Sequence, residues 1–138
     1  MSAVGVQEFD FTSGKVLNPN RKQAILAVEN DADVDVIKEV MRQKSYKDLG
    51  RETELRSVLE AVRKHKVGVL FLDADLPGIT LKDLVPSLKK AFPDFNVVAM
   101  SSTVTKESLG ATLRLGVTGF LVKPLQEEAL KKVMAKLK

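Results

Sequence analysis

The sequence predicts an α/β fold, a doubly wound sheet of five parallel strands with helices on both faces, and three observations carry that prediction. Short apolar runs alternate with segments whose apolar residues recur every three or four positions, the periods of strand and helix. The units repeat at about 20 to 25 residues, the length of a βα crossover, which makes successive strands parallel. Four of the five strands stop in polar groups, as they do where strand carboxyl ends form a ligand-binding rim.

Taken in order, residues 1–22 carry Gly5, Gly14, Pro19 and Asn20 without sustained periodicity and read as a mobile or loosely docked extension. Ala24–Val28 is a strand buried on both faces, ending in Glu29-Asn30-Asp31. Val34, Ile37, Val40 and Met41 stripe the helix that follows, with Asp31 or Asp33 as its cap. Tyr46–Gly50 is the weakest strand. Leu55, Val58, Leu59 and Val62 fall at helical spacing, and the basic run Arg63 to Lys66 suits that helix's C-terminus. Val67–Leu72 is the clearest strand and runs into Asp73-Ala74-Asp75-Leu76-Pro77-Gly78, where Pro and Gly impose a turn. Thr80 and Asp83 form a capping pair for a helix burying Leu81, Leu84, Val85 and Leu88, in which Pro86 predicts a kink and which Pro93 and Asp94 stop. Asn96–Met100 is a strand ending in Ser101-Ser102-Thr103. Thr105–Leu115 is helical in composition but poorly patterned, and Gly110 weakens it. Gly119–Val122 is the fifth strand, ending at Lys123-Pro124, and Leu130, Val133, Met134 and Leu137 stripe a last helix.

Composition bounds the chemistry. The 138 residues suit one core, and 44% hydrophobic with 29% charged residues is an ordinary globular balance. No Cys means no disulfide, no thiolate zinc site and no cysteine nucleophile, so a metal would rely on oxygen ligands. The apolar runs are far shorter than the roughly 18 residues of a membrane span, and the N-terminus has no basic start followed by an apolar stretch, so the expected location is the cytoplasm. The net charge of +4 is mild and residues 1–22 contribute +1 of it, too thin for a nucleic-acid arm. His65 has no partner ligands nearby in sequence, and Lys131, Lys132, Lys136 and Lys138 read as solubilising charge.

The topology gathers Glu29, Asn30, Asp31, Asp73, Asp75, Ser101, Ser102 and Lys123 on one edge. Crowded carboxylates repel one another unless a cation neutralises them, and oxygen ligands open to water favour Mg2+. An ammonium and a hydroxyl on neighbouring strand ends add donors for phosphoryl oxygens, so the rim suits phosphoryl handling with a carboxylate acceptor. No Gly-rich phosphate loop is present, which argues against a nucleotide.

These residues resemble a known family, the CheY-like receiver domain of bacterial two-component response regulators, over residues 23–138. The resemblance rests on Val28-Glu29-Asn30-Asp31, Leu72-Asp73-Ala74-Asp75-Leu76-Pro77-Gly78, Ser101-Ser102 and Gly119-Phe120-Leu121-Val122-Lys123-Pro124, in that order and spacing. It implies a flavodoxin-like strand order of 2-1-3-4-5. It implies a single-domain cytoplasmic receiver, phosphorylated at Asp73 by a histidine kinase, a phosphotransfer protein or a small acyl phosphate. It further implies Mg2+ held by Glu29, Asn30, Asp73 and the Asp75 carbonyl, a switch hydroxyl at Ser101, a pairing cation at Lys123 and a mobile aromatic at Phe120. Output would pass through protein contacts, or a homodimer, on the face formed by the fourth helix, fifth strand and fifth helix, with no nucleic acid bound directly and no membrane. Such a protein is no turnover enzyme; it catalyses only its own phosphorylation and dephosphorylation. Two residues depart from the family pattern: Asn30, where a carboxylate is usual, and Leu81, where Gly is usual.

Two alternatives use the same residues. One is a pseudo-receiver that binds partners without phosphorylation. The other is a haloacid dehalogenase-type phosphatase, which Leu72-Asp73-Ala74-Asp75 also resembles, with Asp73 as nucleophile, Asp75 as general acid, Ser101 binding phosphate and Lys123 stabilising charge. That family needs an acidic pair on a later strand, whereas here the acidic cluster precedes the Asp-x-Asp and Glu127-Glu128 fall in the last helix.

Overall fold

The computed structural model describes residues 9–10, 15–16, 22–65, 68–93 and 95–137. The readings placed on Gly5, Gly14, Pro19, Asn20, Lys66, Val67, Asp94 and Lys138 lie outside the described residues. Within the extension, β1 (Phe9–Asp10) and β2 (Lys15–Val16) pair antiparallel, with Phe9 opposite Val16. Two-residue strands are too short for a period-2 pattern to register in sequence.

Beyond them the chain alternates β3 (Gln23–Ala27), α1 (Asp31–Gln43), β4 (Lys47–Arg51), α2 (Leu55–His65), β5 (Val69–Asp73), α3 (Leu81–Ala91), β6 (Asn96–Ser101), α4 (Lys106–Arg114), β7 (Gly119–Val122) and α5 (Glu127–Met134). The sheet order is β4-β3-β5-β6-β7 and every pairing is parallel, which is 2-1-3-4-5 counted from β3. The expected fold class holds. Among the described residues, no helix is long and apolar enough to cross a membrane.

Strand alternation divides the core in two. Ala24, Leu26, Val69, Phe71, Val98, Met100 and Leu121 pack with the buried stripes of α1 and α5. Ile25, Ala27, Leu70, Leu72, Val97 and Ala99 pack with Val58 and Val62 of α2 and Leu84, Val85 and Leu88 of α3. Both faces of β3, β5 and β6 are therefore covered, which explains why those strands read as continuous apolar runs. The helix α4 is the exception: none of its residues is fully buried, in keeping with its weak pattern.

Several local expectations are corrected. Neither Asp31 nor Asp33 caps α1. The cap is Asn30, whose Oδ1 accepts from the Ala32 amide at 2.8 Å and the Asp33 amide at 3.3 Å. Thr80 stands at the N-cap of α3, but its side chain makes no cap bond. The capping box lies at α4 instead, between Thr105 and Ser108. Edge strand β4 follows Tyr46 and carries a bulge: Ala24 faces Asp48 and Leu26 faces Arg51, so β4 has one extra residue, accommodated where Gly50 takes φ +125°.

Candidate functional site

The carboxyl ends of β3, β5, β6 and β7 meet at one rim, and the predicted site residues meet there too. Asp73 is the last residue of β5 and is fully buried. A buried carboxylate is costly unless its oxygens are satisfied. Here Oδ1 accepts from the Asp75 amide at 2.9 Å, while Oδ2 accepts from the Lys123 ammonium at 2.8 Å and the Glu29 amide at 3.3 Å. Three different segments thus converge on one side chain, each delivered by the end of a parallel strand.

Lys123 follows β7, and its side chain is only 11% exposed. Its Nζ bridges two carboxylates, Asp73 at 2.8 Å and Asp75 at 3.0 Å. Burial opposes its charge, but hydrogen bonds and attraction from Asp73 and Asp75 outweigh it and raise its pKa above the ordinary lysine value. Ser101, buried at the end of β6, places its hydroxyl 3.2 Å from Asp75 Oδ1 and 3.1 Å from the Thr103 carbonyl, so one proton serves either acceptor. The Ser102 amide donates to Asp75 Oδ2 at 2.9 Å. Burial pushes the Asp75 pKa up, and the bonds from Ser102 and Lys123 overcome this and hold it at about 2.

The first strand end is arranged differently. Glu29 is exposed and also lines a cleft with Thr53, Glu54, Leu55, Leu76, Pro77 and Gly78. Asn30 reaches the rim, but its Oδ1 is engaged by the two amides it caps. Leu81, the second departure, is half-buried at the start of α3. Phe120 is half-buried and packs against the α2–α3 side of the core.

Arg51 escaped the sequence reading, and Asp33 was read only as a cap candidate. Arg51, at the end of β4, donates to the Val28 carbonyl at 2.9 Å, to the Glu29 carbonyl and to Asp31 at 2.5 Å, clamping the loop that carries the acidic residues. Asp33 is 4% exposed and accepts from the Leu125 amide at 2.9 Å, tying α1 to the loop after Lys123. A basic residue at the end of an edge strand was a faint signal for the first, and nothing local marked the contact of the second.

Mg2+ keeps several waters and needs only one or two protein carboxylates with phosphate oxygens. The oxygen donors at Asp73 and Glu29 and the Asp75 carbonyl fit a cation of that kind. Among the described residues, no group of three or more His, Asp or Glu side chains forms a ready-made metal cage.

Such a fold with such a rim is the architecture of a receiver-type signalling module. The family model described as the response regulator receiver domain matches residues 25–135, and the chain belongs to that family. The transcriptional regulatory protein CitT of Bacillus subtilis is 24% identical over 116 residues, covering 83% of this chain and 51% of its own length. The regulatory protein LuxO of Vibrio cholerae is 26% identical over 76 residues, covering 55% of this chain and 17% of its own. The chain thus spans about half the length of CitT and less of LuxO. Among solved structures, the chemotaxis protein CheY4 of Vibrio cholerae superposes with TM-score 0.72 at 17% identity, covering 84% of this chain and 98% of that one. The isolated receiver domain of RcsB from Salmonella enterica, solved with a phosphomimetic, gives 0.71 at 20% identity, covering 82% and 85%. These likenesses establish the fold. Receiver domains are signalling modules that interact with histidine kinases or phosphotransfer proteins and generally bind Mg2+ at the phosphorylation site.

Proposed function

We propose that residues 23–138 form a receiver unit that accepts a phosphoryl group on Asp73 from a phosphohistidine or a small acyl phosphate. The observation that carries this reading is the fully buried Asp73 carboxylate, paired at 2.8 Å with Lys123 and surrounded by amides. An Asp73 oxygen attacks phosphorus, and the bond from phosphorus to the donor's oxygen or nitrogen breaks with its electron pair. A carboxylate leaves from an acyl phosphate; from phosphohistidine the ring leaves as imidazolate and takes up a proton from water to become neutral imidazole. The negative charge that Asp73 loses departs on the leaving group, while the attached phosphoryl group brings its own two charges, whose oxygens need new donors, and Lys123 and Ser101 stand at hand.

Asp73, Glu29 and the Asp75 carbonyl would hold Mg2+, which when bound supplies charge neutralisation between the acceptor and the incoming phosphoryl group. Output passes through protein contacts on the face of α4, β7 and α5, where Leu113 and Val122 are 49% and 56% exposed and Phe120 lies half-buried beneath. A second copy of the chain is one partner that face admits.

Incubation with acetyl phosphate and Mg2+ is expected to add one phosphoryl group by intact mass, and Asp73→Asn is expected to add none. Failure of the native protein to gain that mass would overturn the acceptor role and leave a receiver fold that works as a phosphorylation-independent interaction module.

A further inference from the structure

The donors that a phosphoryl group on Asp73 would need already have an occupant. Lys123 Nζ lies 3.0 Å from Asp75 Oδ2, the Ser102 amide donates to that oxygen at 2.9 Å, and the Ser101 hydroxyl lies 3.2 Å from Oδ1. One ammonium from the end of β7, and one backbone amide and one hydroxyl from the end of β6, converge on one carboxylate, as they would on the oxygens of a phosphoryl group. The sequence reading assigned only the backbone carbonyl of Asp75 to the site; its side chain was given no part in a receiver.

We propose that the Asp75 carboxylate is a resident anion in the phosphoryl site, so that phosphorylation of Asp73 proceeds by exchange of one anion for another and Asp75 sets how readily the switch responds. The proposal rests on Asp73 being the phosphoryl acceptor. Two consequences follow from the geometry. The incoming phosphoryl group must draw Lys123 and Ser102 away from Asp75, which slows modification. The segment from Ser101 to Thr103 is also already gathered toward the site before any phosphoryl group arrives, because Asp75 holds its amide and hydroxyl. Asp75 is thus a positioning residue, acting through Lys123 and the Ser101–Ser102 donors and not on phosphorus. Its side chain is 29% exposed, so it can swing to solvent when displaced.

The test uses Asp75→Asn and Asp75→Ala, both at a position open enough that folding is expected to persist. Modification by acetyl phosphate with Mg2+, followed by intact mass, is expected to run about three- to tenfold faster in both variants than in the native chain, the range for releasing a partly exposed ion pair. The Ser102 amide resonance, read by 15N-labelled NMR, distinguishes exchange of anions from simple relief of repulsion. In the native protein it should move little on phosphorylation, since one anion replaces another; in Asp75→Ala it should start upfield and move strongly downfield. Equal or slower modification of the variants, or faster modification with an unmoved Ser102 amide in Asp75→Ala, would overturn the role of Asp75 while leaving Asp73 as acceptor. If neither the native chain nor the variants gain mass, the acceptor reading falls and the exchange falls with it.

Discussion

Asn30 serves local structure and the rim at once, and the two demands pull apart. As the α1 cap it needs only a side-chain oxygen facing the Ala32 and Asp33 amides, and Asp fills that position about as well. As a member of the acidic rim it lacks the charge that would attract a divalent cation. Asn30→Asp is therefore expected to leave the melting temperature nearly unchanged while tightening Mg2+ binding about tenfold or more, since an added charge within a few ångströms contributes at least that factor at a partly solvated site. Isothermal titration with MgCl2 reads the change; equal affinities would show that the ion does not sit near residue 30. Asp73, Ser101 and Lys123 were legible because the first two end buried strands and the third directly follows one more, and parallel connections bring those ends to one edge whatever the loops do. Arg51 and Asp33 were not. The reach of Arg51 depends on the one-residue bulge in β4, and Asp33 bonds an amide 92 positions away, a pairing that no window on the sequence contains.

Among the elements, apolar runs and periodicity located β3, β5, β6, β7 and four of the five helices, because burial on one face of a helix or both faces of a strand leaves a repeating mark, whereas the exposed edge strand β4 was the weakest reading and α4 rested on composition alone. Caps and boundaries were less legible: Thr80 and Thr105 look alike in sequence, yet only Thr105 bonds the backbone, since loop geometry decides whether the hydroxyl meets an amide. The contact between β7 and α5 shows a tighter constraint. A β-carbon at Gly119 would lie 2.4 Å from Val133 Cγ1 and 3.4 Å from Val133 Cβ. Val is stiff at χ1 and cannot fold away, so α5 itself must shift. Gly119→Ala is expected to cost about 1 to 3 kcal/mol, the usual range for overpacking, read as a lower urea midpoint. Val133→Ala alone opens a cavity, but combined with Gly119→Ala it makes room for the new methyl group. The double variant should therefore be more stable than the sum of the single losses predicts, and strict additivity would show that the two side chains do not compete for space.

Across the whole molecule, stability is distributed unevenly, and the unevenness lies where a receiver needs to move. The central strands β3, β5 and β6 are buried along nearly all their length, between α1 and α5 on one side and α2 and α3 on the other. By contrast α4 has no fully buried residue, Leu113 on it is 49% exposed, and its N-terminus is joined to Ser101 by the Ser102–Thr105 segment. An element with little buried apolar area opens locally at a fraction of the global unfolding free energy. Native-state hydrogen exchange should accordingly show the amides from Gly110 to Arg114 exchanging through local opening, with protection at least about a hundredfold below the amides of β5 and β6, whose exchange should track global unfolding. On the proposed acceptor role of Asp73, the Ser101–Ser102 donors are handed from Asp75 to the phosphoryl group, so the change in protection should appear beyond them, in α4, while β3 and β5 stay untouched. Equal protection of α4 and β5, or a response to phosphorylation spread evenly over the sheet, would show that α4 is not the compliant element. On the proposed function, the difference in burial between α4 and the sheet would let a single new charge at a rigid strand end be expressed as motion of one lightly held helix.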